Sequence, residues 1–215
     1  EPYRRQRQMC IRDRDIVDAY GKVIQDLYNA GCRNIQLDDC TWGMMADRSG
    51  HLAYGTTAEG LKEIQKIHKD INNQVIANAP KDLTINTHVC RGNFHSTYAN
   101  SGAYDLVADI LFGEENVNAY YLEFDDERSG GFASLAKVSG DKKVVLGLIT
   151  TKSPKLENKE EVIARIKEAA NYIPLDRLYL SPQCGFASCE IGNKLTEKEQ
   201  WDKLRLVKEI AEEVW

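Results

Sequence analysis

"LTINTHVCRGNF", residues 83–94, opens as a buried strand and closes on polar side chains. Leu83 to Val89 is too short for a typical helix and rich in β-branched residues, and Gly92 follows it closely, so it reads as a strand of the buried kind. At its end His88 and Cys90 stand two residues apart. Side chains at i and i+2 of a strand point the same way, so both could reach one metal ion.

Working outward, helix and strand patterns alternate on both sides of this stretch. Upstream, Ile16, Val17, Tyr20, Val23, Ile24, Leu27 and Tyr28 form an apolar helical stripe, with Gly31 as its stop. "RNIQLDD" is a short strand ending in Asp38 and Asp39. The helix "TTAEGLKEIQKIHKDIN" then turns Leu61, Ile64, Ile67 and Ile71 inward. Downstream come the helix "GAYDLVADILFG", closed by Gly113, and the strand "VNAYYLEF", reaching Glu123. "KKVVLGLIT" is a fully buried strand, and Asn158 with Glu161 opens the next helix as a capping box. "DRLYLSPQCG" is the last strand and its turn. Thr196 and Glu199 open the final helix, with Trp201, Leu204, Val207, Ile210 and Val214 inward.

Five strands, near residues 34–38, 83–89, 118–124, 143–150 and 177–181, thus alternate with amphipathic helices. That pattern predicts an α/β fold with a parallel sheet. No glycine-rich phosphate loop follows any strand. Polar residues recur at or just past the strand ends: Asp38 and Asp39, His88 and Cys90, Glu123, Lys152, Cys184. A (β/α)8 TIM barrel concentrates its chemistry on that rim. Five units would make an incomplete barrel, about its last five βα units, which fits an N-terminal truncation.

The chain has 215 residues, 42% of them hydrophobic, enough for one sizeable core in one or at most two domains. A net charge of −5 gives no basic field for nucleic acid or an anionic membrane. No apolar run approaches a membrane span and no signal-peptide pattern is seen, so the chain reads as soluble and cytoplasmic. Six cysteines scattered over this length do not resemble a secreted disulfide scaffold. Residues 1–14, with five arginines and little apolar periodicity, stand apart. "RRQRQMCIRDR" looks like translated adapter sequence. We set 1–14 aside as a non-native or disordered segment and take 15–215 as the barrel part.

Glu123 and Cys184, each ending a later strand, could converge on the ion that His88 and Cys90 reach. One nitrogen, two sulfurs and a carboxylate oxygen suit tetrahedral zinc. The plainer alternative is that buried His and Cys are packing residues, since His-x-Cys alone is a weak signal.

"NTHVCRGN", "YYLEFDDERSG", "VVLGLITTKSP" and "LYLSPQCGFAS", in that order, resemble the C-terminal catalytic barrel of cobalamin-independent methionine synthase, and more closely its shorter single-barrel relatives. The resemblance covers residues 15–215. It implies zinc (Zn2+) held by His88, Cys90, Glu123 and Cys184, with Asp38 binding the amino group of homocysteine. It implies transfer of a methyl group from 5-methyltetrahydrofolate, as its polyglutamate, to the homocysteine thiol, giving methionine. Glu123 would be the labile ligand, moving aside as the substrate sulfur enters. The leaving ring nitrogen would need a general acid.

Two residues depart from the full-length pattern. Lys152 stands where those enzymes carry a histidine; it is either a catalytic group or a solvated loop residue. A lysine needs burial to release its proton readily near pH 7. Met44 stands where a glutamate is expected in the folate region. Both departures bear on the methyl donor, which could instead be a methylated corrinoid protein or another small molecule. An inactive zinc-binding barrel fragment is a further alternative.

Other polar residues receive plainer expectations. Asp39, Asp125, Asp126 and Glu127 are rim carboxylates, read as pairing with Arg128 rather than as catalytic. His51 on a loop and His68 on a helix are read as surface groups, and His95 as a neighbour of the site. Cys10, Cys32, Cys40 and Cys189 lack partners at ligand spacing. Trp42 either stacks on a flat ligand or packs in the core.

Overall fold

A computed structural model of the protein describes residues 2–215, with side chains from Cys10 onward. It has seven α-helices and five strands among the described residues: α1 (Pro2–Asn29), β1 (Asn34–Asp38), α2 (Cys40–Ala46), α3 (Gly50–Ala53), α4 (Ala58–Ala77), β2 (Thr84–Val89), α5 (Ala108–Glu114), β3 (Ala119–Glu123), β4 (Lys143–Ile149), α6 (Lys159–Ala169), β5 (Leu178–Pro182) and α7 (Glu197–Val214). The five strands match the expected ones to within a residue or two. Helix α1 also runs through residues 2–14, the segment set aside above, while residue 1 lies outside the described residues.

The strands form one sheet in the order β1-β2-β3-β4-β5, every neighbouring pair parallel. Parallel neighbours require a crossover; α-helices supply it between β1 and β2, β2 and β3, and β4 and β5, while short 3-10 turns at Glu127–Ser129 and Ala133–Lys137 supply it between β3 and β4. This is the α/β arrangement of an incomplete TIM barrel: each strand pairs with the next in sequence, and β1 and β5 remain edges.

Along β1, Ile35 and Leu37 face α1 and α4, joining a small core with Val17, Ile24, Val75 and Ile85. The larger core runs from Trp42 through Tyr120, Leu122, Val144 and Leu146 to Ile166, Leu206 and Ile210. On the opposite sheet face Asn34, Asn86, Tyr121, Lys143 and Tyr179 line an open cavity of about 360 Å3. Apolar residues on one face and polar ones on the other follow from the two-residue period of a strand.

Three helix faces differ from expectation. On α1, Val17 and Ile24 are buried while Tyr20, Val23 and Leu27 are exposed. On α7, Trp201 is exposed and bonds Glu197, and Lys203 takes the inward place instead. Its ammonium donates to Glu157 and to the carbonyl of Lys155, a pairing that apolar periodicity does not reveal. Helix α5 continues through Gly113 to Glu114 rather than stopping there. Thr196 with Glu199 forms the full capping box, whereas at α6 only half of the expected box forms: Asn158 accepts from the Glu161 amide without a reciprocal bond from the Glu161 side chain.

Candidate metal centre

Parallel register aligns the ends of the strands. Asp38 of β1 lies beside His88 of β2, and Glu123 closes β3 opposite Gly147 of β4. Cys90 follows β2 by one residue and Cys184 follows β5 by two. His88, Cys90, Glu123 and Cys184 each offer one ligand atom, and these atoms all lie within 4.8 Å of one another. His88, Cys90 and Glu123 are buried and Cys184 is partly so. Four donors from three strands thus meet on the rim.

The local bonding suits a cation. His88 donates from Nδ1 to the Tyr121 carbonyl at 3.1 Å, which leaves the Nε2 lone pair facing the cluster. That buried Nε2 has no hydrogen-bond partner. An outer hydrogen bond that fixes the tautomer is the usual support of a metal-ligating histidine. Burial disfavours the charged imidazole, but the neighbouring Cys90, Glu123 and Asp38 outweigh it and hold His88 above its ordinary value. The hydrogen bond between the two thiols lowers Cys184 and raises Cys90, so the pair loses its first proton easily and its second reluctantly. One nitrogen, two sulfurs and one oxygen, with an orphaned imidazole nitrogen, fit a borderline-soft divalent ion such as zinc.

Glu123 is completely buried and held from two sides. Its Oε1 accepts the Arg91 amide at 2.7 Å and its Oε2 accepts Arg128 Nη2 at 2.7 Å. Arg128 also binds Asp125 and Asp126, as expected, and lies over the Tyr98 ring. Its bond to Glu123 and the part played by Arg91 escaped the sequence reading, since nothing local in the chain marks a backbone amide as a ligand's partner. Lys152 is not a solvated loop residue: its side chain is 10% exposed, with Nζ 3.9 Å from Glu123 Oε2. Asp38 borders a cavity of about 330 Å3 with Gln36, His88, Tyr121 and Cys184.

The rim loops are laced together. Thr151 donates from both its amide and hydroxyl to Gln183, next to Cys184. Asn193 donates to Asn93 and to the Thr151 carbonyl, and Asn93 donates to the Gly185 carbonyl. Two glycines admit close backbone approaches here. A Cβ on Gly43 would lie 2.3 Å from the Cys90 carbonyl oxygen, and one on Gly147 would lie 2.7 Å from Gln183 Cα. His95 bonds the Gly192 carbonyl, and among the remaining cysteines Cys10, Cys40 and Cys189 are exposed.

Asp39 and His68 depart from expectation. Asp39 bonds His68 Nε2 at 2.8 Å and Asn72 at 2.9 Å, not Arg128, and His68 is partly buried against it. Asn72 continues to Glu115, which also receives Trp42 Nε1. Trp42 is thus a core residue with a polar tether. Successive residues of a strand point to opposite faces, which sends Asp38 to the rim cavity and Asp39 to the helix layer. His51 lies on α3, partly buried.

A profile of the family described as "Cobalamin-independent synthase, Catalytic domain" matches residues 4–213. The chain belongs to that family. YxjG of Bacillus subtilis (strain 168) is 49% identical over 205 residues, 94% of this chain and 53% of its own length. A methionine synthase of Methanothermobacter thermautotrophicus is 26% identical over 199 residues, 90% of this chain and 52% of its own. A solved Listeria monocytogenes structure, designated a vitamin-B12-independent methionine synthase, superimposes with a TM-score of 0.74 at 36% identity, covering 100% of this chain and 58% of that one. The chain therefore spans about half the length of these members of the cobalamin-independent synthase family.

Proposed function

We propose that the chain carries the metal centre of a zinc-dependent methyltransferase that acts on a thiol. The substrates are homocysteine as acceptor and 5-methyltetrahydrofolate, as its polyglutamate, as donor, with methionine as product. The observation that carries this reading is the convergence of four ligand atoms within 4.8 Å, in a family named for a cobalamin-independent synthase. Held by His88, Cys90, Glu123 and Cys184, zinc supplies the one chemistry the chain lacks, keeping a substrate thiol as thiolate near neutral pH. The residues do the rest. Asp38, on the wall of the same cavity, binds the substrate amino group by charge. Burial of the cluster keeps competing water from the nucleophile, and the laced loops hold the ligands in register.

Two observations favour a second reading with a different donor, a methylated corrinoid protein or another small molecule. Lys152 is buried against Glu123 where a proton-donating histidine is expected, and Met44 stands where the folate region calls for a carboxylate. No helix among the described residues is long and apolar enough to cross a membrane.

Metal analysis tests the centre. The purified chain is expected to hold one zinc, with Cys90→Ser and Cys184→Ser each falling well below that; unchanged zinc in both variants refutes the ligand assignment. Methionine formation from homocysteine, measured in parallel with methyltetrahydrofolate triglutamate and methylcobalamin, separates the two donors.

A further inference from the structure

Lys152 Nζ is buried and has no hydrogen-bond partner among the described residues. At 3.9 Å from Glu123 Oε2 it stands about 1 Å farther than a typical hydrogen bond. A buried ammonium with empty donor positions is expensive to maintain. Among the described residues the only carboxylate paired with it is Glu123, itself one of the four candidate ligands. Glu123 is meanwhile tethered by the Arg91 amide and by Arg128, so small movements leave it neither free nor unneutralised.

We propose that Lys152 is the receiving post for the Glu123 carboxylate. Resting on the zinc reading, the proposal gives Lys152 a positioning role in place of proton donation. When a substrate sulfur takes the place of the carboxylate on the metal, the thiol proton passes to solvent. Glu123 then shifts by about 1 Å, a hydrogen bond's shortfall, onto the Lys152 ammonium while Arg128 stays paired. One anionic ligand replaces another at the metal, and the departing charge meets a cation already buried beside it. Without that cation, the departing carboxylate would keep Arg128 and the Arg91 amide but have no second cation to move toward, and the exchange would be less favourable. The lysine would also weaken the hold of Glu123 on the metal beforehand, because its positive charge draws the same carboxylate.

The test uses the whole chain loaded with cobalt(II) and titrated with homocysteine, reading the sulfur-to-cobalt absorption; zinc X-ray absorption counts the sulfurs. The wild type is expected to gain a third sulfur. Lys152→Met is expected to bind metal one to one, as tightly or more so, yet to need about tenfold more homocysteine, the loss of one charge-assisted hydrogen bond. Lys152→Arg is expected to restore much of the thiol entry. A purely structural lysine would instead weaken metal binding on removal, and arginine would not rescue thiol entry; that outcome overturns the proposal. So does a homocysteine titration of Lys152→Met that superimposes on the wild type, or a wild type that admits no third sulfur. Failure to bind metal through the four residues sinks the zinc reading and this one with it. Normal metal binding with unchanged thiol entry sinks the Lys152 role alone.

Discussion

At the residue scale, chemistry follows from which side chains lose water. Glu115 is the clearest case outside the metal cluster. Burial, only partly offset by the Asn72 bond, pushes its carboxyl from 4.5 up to about 7. The folded protein then keeps a proton that the unfolded chain has lost, so stability falls as pH rises from about 4.5 to about 7 and levels off above. The full effect is of order 3 kcal/mol. His68 adds to it. Burial lowers its affinity for a proton, but the Asp39 bond and charge more than compensate and raise it, so its stabilisation is lost as pH climbs through its folded value. Glu115→Gln is expected to be more stable than the wild type at pH 8 and to flatten the slope between pH 5 and 7, read from urea midpoints. The His68–Asp39 pairing was not legible in the sequence. Period-2 alternation separates Asp38 from Asp39, but nothing in the chain says which helix residue sits above the second.

At the element scale, each ligand depends on a strand end and on what props it. Gly147 lets β4 approach both β3 and the start of the Cys184 loop, its missing Cβ leaving room for Gln183 Cα and the Leu122 carbonyl. Gly147→Ala must push backbone apart, and we expect weaker zinc binding along with lower stability, measured by chelator competition and by urea unfolding. Lys203 props the other side. Fully buried, it ties α7 to Glu157 and the Lys155 carbonyl, and Glu157 in turn accepts the Thr150 amide beside Lys152. Lys203→Met is expected to cost about 3 kcal/mol, the lower end for a broken buried pair because Glu157 keeps some solvent. The strands and caps were legible because their signals are local: alternation, β-branched runs and Thr196 three residues before Glu199. The inward face of α7 was not, since a buried lysine looks polar in sequence and only its distant partner makes it a core residue.

At the scale of the whole molecule, the sheet is open. Strands β1 and β5 each keep one unpaired edge among the described residues, and the polar sheet face lines a solvent-filled cavity. Unpaired edges recruit other strands. Light scattering is expected to show concentration-dependent association of the isolated chain, which a strictly monomeric sample would contradict. The order of the parallel strands was legible because sequential βα units have few alternatives. The meeting of His88, Cys90, Glu123 and Cys184 was foreshadowed by their places at strand ends and by the family resemblance that implied them as a set. The arginine and amide that hold Glu123 were hidden, since their partners come together only in three dimensions.

The Asn93–Asn193–Thr151 lacing has one more consequence. It joins segments about a hundred positions apart, tying the stretch just past Cys90 to the one beyond Cys184. A metal held by Cys90 and Cys184 is therefore expected to leave faster when the stretch around Gly185–Thr196 peels away. Its off-rate should track hydrogen exchange of the Ser96 amide, which Asn193 covers, rather than the intrinsic strength of the donors.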